Sequence, residues 1–74
     1  MVKTDTTIGY YRNKAKLSQQ KMAEILEIPR TTMSFYETKR SYSNIEIAEE
    51  IASLLDVPIG RLYTFQELEL MKTK

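Results

Sequence analysis

The corner Glu27-Ile28-Pro29 separates two apolar-striped segments, and neither segment is long enough to stand alone. Isolated helices shorter than about 12–15 residues are marginal in water, so each must bury its stripe against something else. Before the corner, Ser18 is a good N-cap for a helix from Gln19 to about Leu26, with Met22, Ala23 and Leu26 on one side. After it, Pro29 suits a helix start because the first N–H groups lack intrahelical partners anyway, and Met33 and Tyr36 share the inner side. That leaves Arg30, Thr31, Ser34 and Phe35 as an outward stripe.

The flanking sequence supplies what these short helices pack against. A first helix is expected from about Asp5 to Lys16, with Ile8, Tyr11 and Ala15 on one face, Arg12, Lys14 and Lys16 near its end, and Leu17 closing the corner. Tyr10, Tyr11 and Met22 read as core or half-core. The polar run Thr38 to Asn44 reads as an exposed loop ending in a Ser or Asn cap. Beyond it, Ile45, Ala48, Ile51, Ala52 and Leu55 form the best amphipathic helix, with Glu46, Glu49, Glu50 and Ser53 opposite. Pro58 can open a short fifth helix through Ile59, Leu62 and Tyr63, followed by a helix or tail over 64–74. No alternating pattern competes, so the expectation is an all-α single domain over 1–74 with its core at about 5–63.

Composition excludes several kinds of chemistry. With 74 residues and neither Cys nor His, the chain offers no disulfide, no usual zinc constellation and little room for an enzyme cleft. It also lacks a glycine-rich phosphate loop, so no enzyme, cofactor or metal is expected. No apolar stretch could span a bilayer, which favours a cytoplasmic protein with no membrane partner. The net charge of +1 hides an asymmetry: residues 1–40 hold eight basic against four acidic side chains, residues 41–74 three against six. A basic face that meets phosphates, with an acidic face turned away, would show this pattern, although a solvated mixed surface would too.

Two short helices around a tight corner are explained most economically by a helix-turn-helix, whose second helix enters the major groove of DNA. The outward stripe suits that role: Arg30 can bond guanine O6 and N7 together, Thr31 offers a hydroxyl and a methyl, and Phe35 adds apolar contact. Lys39 and Arg40 follow at the helix end, where they pair with phosphates or complement the helix dipole. A short recognition helix touches few base pairs, so a homodimer on a palindromic site is expected, with the apolar stripe Phe65, Leu68 and Met71 as candidate interface. Packing of that stripe onto its own core is the competing arrangement.

The run Leu17-Ser18-Gln19-Gln20-Lys21-Met22-Ala23-Glu24-Ile25-Leu26, followed by Ile28, Arg30 to Ser34 and Tyr36-Glu37, resembles the Xre family of helix-turn-helix regulators, the group containing lambdoid Cro and repressor domains. Ile45-Glu46, Ile51-Ala52, Leu55 and Val57-Pro58 continue the resemblance, which covers about residues 8 to 63. It implies a compact five-helix, lambda-repressor-like domain with a short C-terminal extension, acting as a sequence-specific regulator on a double-stranded operator. It further implies base contacts from Arg30, Thr31, Ser34 and Phe35, phosphate contacts from Ser18, Gln19, Thr32, Lys39 and Arg40, and a structural ion pair between Arg12 and Glu37. The chain departs from the family pattern at Glu27 and at Thr38-Lys39, where glycine is usual and a left-handed backbone is expected, and at Pro29, where a capping hydroxyl is usual. Phe35 is also less polar than the usual occupant. The alternative in a different class is a phage-type modulator that grips a partner repressor protein through Phe35 and Tyr42, since aromatic residues are favoured interface anchors.

Overall fold

Side-chain caps set where four of the five helices begin. The structure, a computed structural model, describes residues 6–73. Helix α1 spans Thr7–Lys14, α2 Gln19–Leu26, α3 Arg30–Glu37, α4 Ile45–Leu55 and α5 Phe65–Lys72, with a 3₁₀ turn at Ile59–Arg61. The first N–H groups of α1, α2, α4 and α5 are taken up by Thr6 Oγ1, Ser18 Oγ, Asn44 Oδ1 and Thr64 Oγ1 respectively. Helix α3 follows Pro29 and has no side-chain cap. The expected start of α1 at Asp5 lies outside the described residues, as does Lys74.

The first four helices stop in a common way. Lys16, Glu27, Lys39 and Asp56 all take left-handed backbone, with φ of 62°, 61°, 62° and 60°. Behind them Leu17, Ile28, Arg40 and Val57 donate their N–H groups to the carbonyls of Arg12, Ala23, Phe35 and Ala52 at 3.1, 3.0, 2.9 and 3.1 Å. These are Schellman closures made without glycine, each opposed by roughly 1–2 kcal/mol of steric strain. Lys16 therefore ends α1 two residues before the sequence-based boundary. Leu17, Ile28 and Val57 offset the strain by packing on the core, the hydrophobic contact that commonly accompanies this turn. Arg40 is the exception, being exposed.

Ile8, Met22, Met33, Ile51 and Met71, one from each helix, are the largest fully buried side chains. Ala23, Leu26, Ala48, Ala52, Leu55, Leu62 and Tyr63 complete the core around them. Two expectations about α1 change: Ala15 is exposed and Tyr10 is 50% exposed, because the inner face of α1 is spent on Ile8, Gly9 and half-buried Tyr11.

The C-terminal segment also corrects the sequence reading. The residues expected as a fifth helix after Pro58 form only the 3₁₀ turn, and α5 is instead Phe65–Lys72, so the core extends past residue 63. The Phe65, Leu68 and Met71 stripe is not a single exposed face. Met71 is 1% exposed within the core and Leu68 packs against it, while Phe65 stays 75% exposed. Spaced i, i+3 and i+6, the three drift around α5 so that Phe65 and Met71 lie roughly 120° apart, which lets Met71 enter the core while Phe65 faces away from it. Truncating Met71 or Ile51 to Ala should each cost about 2–5 kcal/mol, as large-to-small core changes do. A denaturant midpoint unmoved by Met71→Ala would show that α5 is an appendage.

Candidate nucleic-acid interface

The corner between α2 and α3 is built from the chain's own carbonyls. Glu27 N–H donates to Glu24 O at 3.2 Å and Ile28 N–H to Ala23 O at 3.0 Å, after which Pro29, at φ −63° and ψ 149°, redirects the chain into α3. Met33 and Glu37 face inward and are buried; Thr32, Ser34 and Tyr36 are half-buried; Arg30, Thr31 and Phe35 are exposed. Arg30, Thr31 and Ser34 line one shallow concavity together with Gln19 from the first turn of α2. Phe35 lies along the same helix toward Arg40, whose guanidinium carbon sits 5.1 Å from the ring centroid in a cation–π arrangement. Among the described residues neither Arg30 nor Arg40 forms an ion pair with a carboxylate.

The far end of α3 is anchored by a buried carboxylate. Glu37, 4% exposed, accepts from Arg12 Nε on one oxygen and from Gln19 Nε2 on the other, the latter at 3.1 Å. Arg12 Nη1 also donates to Leu17 O at 2.8 Å. Gly9 makes room for this group: a Cβ there would lie 3.3 Å from Glu37 Oε1 and 3.0 Å from Thr6 Oγ1. Gln19 thus bonds inward to Glu37 while bordering the concavity of α3, and Ser18 is occupied in capping α2 through a 2.9 Å bond from Lys21 N–H.

Two residues singled out in the sequence lie elsewhere than expected. Lys39 does not extend outward with Arg40. Its ammonium donates to Glu67 Oε1 at 2.8 Å and to Leu62 O at 3.0 Å, and stands 4.8 Å from the Tyr63 ring centroid. Tyr42 is half-buried and its hydroxyl donates to Glu67 Oε2 at 2.8 Å, so it offers no exposed aromatic anchor. The cause is the left-handed backbone at Lys39, which turns consecutive side chains to opposite sides. Glu67 was not singled out from sequence, although Thr64-x-x-Glu67 is a capping-box pattern and both its hydrogen bonds form, at 2.9 and 3.1 Å.

Electrostatics follow from this clamp. Burial alone would raise the Glu67 pKa, but hydrogen bonds from Lys39, the Thr64 N–H and Tyr42, with the Lys39 charge, outweigh it and hold the carboxyl below its ordinary value. Tyr42 is shifted up by its bond to Glu67, then by burial and the carboxylate's charge. Burial pushes Tyr63 up to about 12, with smaller contributions from Glu67, Tyr36 and Tyr42. Because the folded Glu67 pKa is depressed, its stabilisation is present above the unfolded value and lost as pH falls through the folded one. The stability gap between the parent and Glu67→Gln should therefore close as pH drops below about 4. Denaturant titrations over that range that find a constant gap would mean the clamp is not ionic.

The described residues contain no group of three His, Cys, Asp or Glu side chains able to hold a metal ion, and no helix long and apolar enough to cross a membrane. A family model described as helix-turn-helix matches residues 8–62, more than half of the chain, from α1 through the 3₁₀ turn and ending before α5. No curated protein matches the sequence. The chain therefore belongs to the Xre-type helix-turn-helix family of DNA-binding regulators.

Proposed function

We propose that the protein is a sequence-specific repressor of the Cro or phage-repressor kind, in a phage or other mobile element, that inserts α3 into the major groove of an operator. The observation that carries this reading is the convergence of Gln19, Arg30, Thr31 and Ser34 on one concavity, with Arg30 engaged by no carboxylate among the described residues. Arg30 and Thr31, in the first turn of α3, are at the end of a recognition helix that meets base edges, with Ser34 and Phe35 one turn on. Arg30 supplies the bidentate donor for guanine, Thr31 and Ser34 supply hydroxyls, and Phe35 meets a thymine methyl. Ser18, Gln19 and Thr32 border the phosphates on one side and Arg40 on the other, with backbone contacts fixing register rather than reading sequence. Lys39 is withdrawn from this set because its charge is already matched by Glu67.

One α3 reads only a few base pairs, so the reading includes two copies on a palindromic site in the cytoplasm. Phe65 and Leu70, 75% and 51% exposed on α5, are apolar side chains available for such pairing. The modulator alternative has less support. Of its two aromatic anchors, Tyr42 is bonded to Glu67 and Phe35 is 38% exposed beneath Arg40.

Binding titrations at several salt concentrations separate the roles. Arg30→Ala should cost about 1–3 kcal/mol on the preferred site and blur discrimination at one base pair. Arg40→Ala should weaken all duplexes alike and reduce the slope of log K against log salt by about 0.9. Should Arg30→Ala leave sequence preference intact, with Phe35→Ala abolishing a complex with a partner regulator, direct operator reading is wrong.

A further inference from the structure

Of the four left-handed turns, three are followed by an apolar residue that packs on the core, and the fourth is not. After Lys39 comes Arg40, exposed and directed over Phe35. Thr38 Oγ1 and the N–H groups of Thr38 to Ser41 bond only to the last carbonyls of α3, so nothing in these contacts ties the turn to the rest of the domain. The Leu62 carbonyl takes the Lys39 ammonium, and α5 supplies the rest of the tie. Glu67 takes the Lys39 ammonium on Oε1 and the Tyr42 hydroxyl on Oε2, bracketing Arg40 and Ser41 between two anchored residues. Glu67 is itself fixed by the capping box at Thr64 and by Met71 one turn further along α5, which is buried in the core.

We propose that Glu67 is a positioning residue for DNA binding: by holding Lys39 and Tyr42 it keeps the left-handed turn closed and presents Arg40, stacked on Phe35, to the phosphate backbone. Helix α5, although outside the segment matched by the family model, is then part of the binding apparatus. Lys39 carries the strain of a left-handed backbone with no apolar residue behind it to offset that strain, and without Glu67 its ammonium keeps only the Leu62 carbonyl and the Tyr63 ring, so the turn loosens and Arg40 samples many directions. Removing Glu67 makes the protein more basic, which by charge alone would strengthen binding to DNA; loss of positioning weakens it.

The proposal rests on the assignment of Arg40 to a phosphate, and a double-mutant cycle keeps the two apart. The salt dependence of binding to the preferred duplex and to a scrambled one is measured for the parent, Glu67→Ala, Arg40→Ala and the double variant, well below each melting temperature. Tyr42→Phe, which removes one hydroxyl from the clamp and keeps the ring, is measured alongside in case Glu67→Ala folds poorly. Expected is a loss for Glu67→Ala on both duplexes, a salt slope lower by up to about 0.9, one phosphate contact, and no further loss when it is added to Arg40→Ala. Tyr42→Phe should give a smaller loss of the same kind. A slope that falls for Arg40→Ala but not for Glu67→Ala or Tyr42→Phe overturns the positioning role and leaves the phosphate assignment standing. Additive losses overturn it as well, since Glu67 would then act independently of Arg40. Tighter binding by Glu67→Ala with a steeper slope means that Lys39 has been released onto a phosphate, which also contradicts it. If Arg40→Ala itself leaves the slope unchanged, the phosphate assignment fails and the proposal with it.

Discussion

The Glu37 carboxylate lies where α1, α2 and α3 meet, and all three depend on how it is satisfied. An ionised carboxylate at 4% exposure is tolerable only when fully paired and hydrogen-bonded, and here Arg12 and Gln19 supply the donors. The demand runs in both directions. Arg12 must approach from α1, Gln19 must begin α2 within reach, and α3 must end at this depth, so one charge fixes the relative placement of three short helices. Gly9 records the same constraint in the backbone, since a side chain on α1 at that point would crowd both Thr6 and the carboxylate. Among the described residues no buried side-chain nitrogen or oxygen lacks a partner, so the polar junction costs the fold no orphaned group.

The recognition helix is consequently divided. Its last turn is pinned on one side by Glu37, while the turn that follows is pinned on the other by Lys39 and Glu67. Its first turn, with Arg30 and Thr31, carries polar side chains that make no hydrogen bond or ion pair among the described residues. Rigid support beneath a stripe of uncommitted donors is what a preorganised binding surface requires, because a loosely held helix would lose affinity in being ordered at the interface. Eight residues of α3 would not supply that rigidity alone.

Much of this arrangement was legible in the residues because each local signal agreed with its neighbours. Ser18 caps α2, Pro29 opens α3, and Met22, Met33, Ile51 and Leu55 are buried, each following from spacing and cap chemistry. The corner Leu26-Glu27-Ile28-Pro29 recurs in kind at Leu55-Asp56-Val57-Pro58: an acidic left-handed residue, a β-branched residue packed on the core, then proline. What was not legible is what depends on direction in space. A left-handed residue at 39 sends the Lys39 and Arg40 side chains apart, although in sequence they look like one basic pair. Whether Met71 meets a second copy or its own core stayed open because nothing in the stripe of α5 reveals how much core lies open beneath it, and Tyr42 looked exposed because Glu67 is 25 residues away.

The Arg12 and Glu37 pair serves orientation more than stability, and paired apolar substitution separates the two roles. Arg12→Met alone should destabilise the fold by about 3–5 kcal/mol, because it leaves a buried carboxylate without its counter-ion. The double variant Arg12→Met with Glu37→Leu removes both charges and should fold with stability near the parent's, since well-packed apolar replacements of buried ion pairs are often neutral or better. The decisive measurement is the ratio of affinities of that folded double variant for the preferred and scrambled duplexes. With α1, Gln19 and the end of α3 no longer registered on one carboxylate, the ratio should fall while salt-dependent binding to both duplexes persists. A double variant that folds and discriminates as well as the parent would contradict an orienting role for the pair.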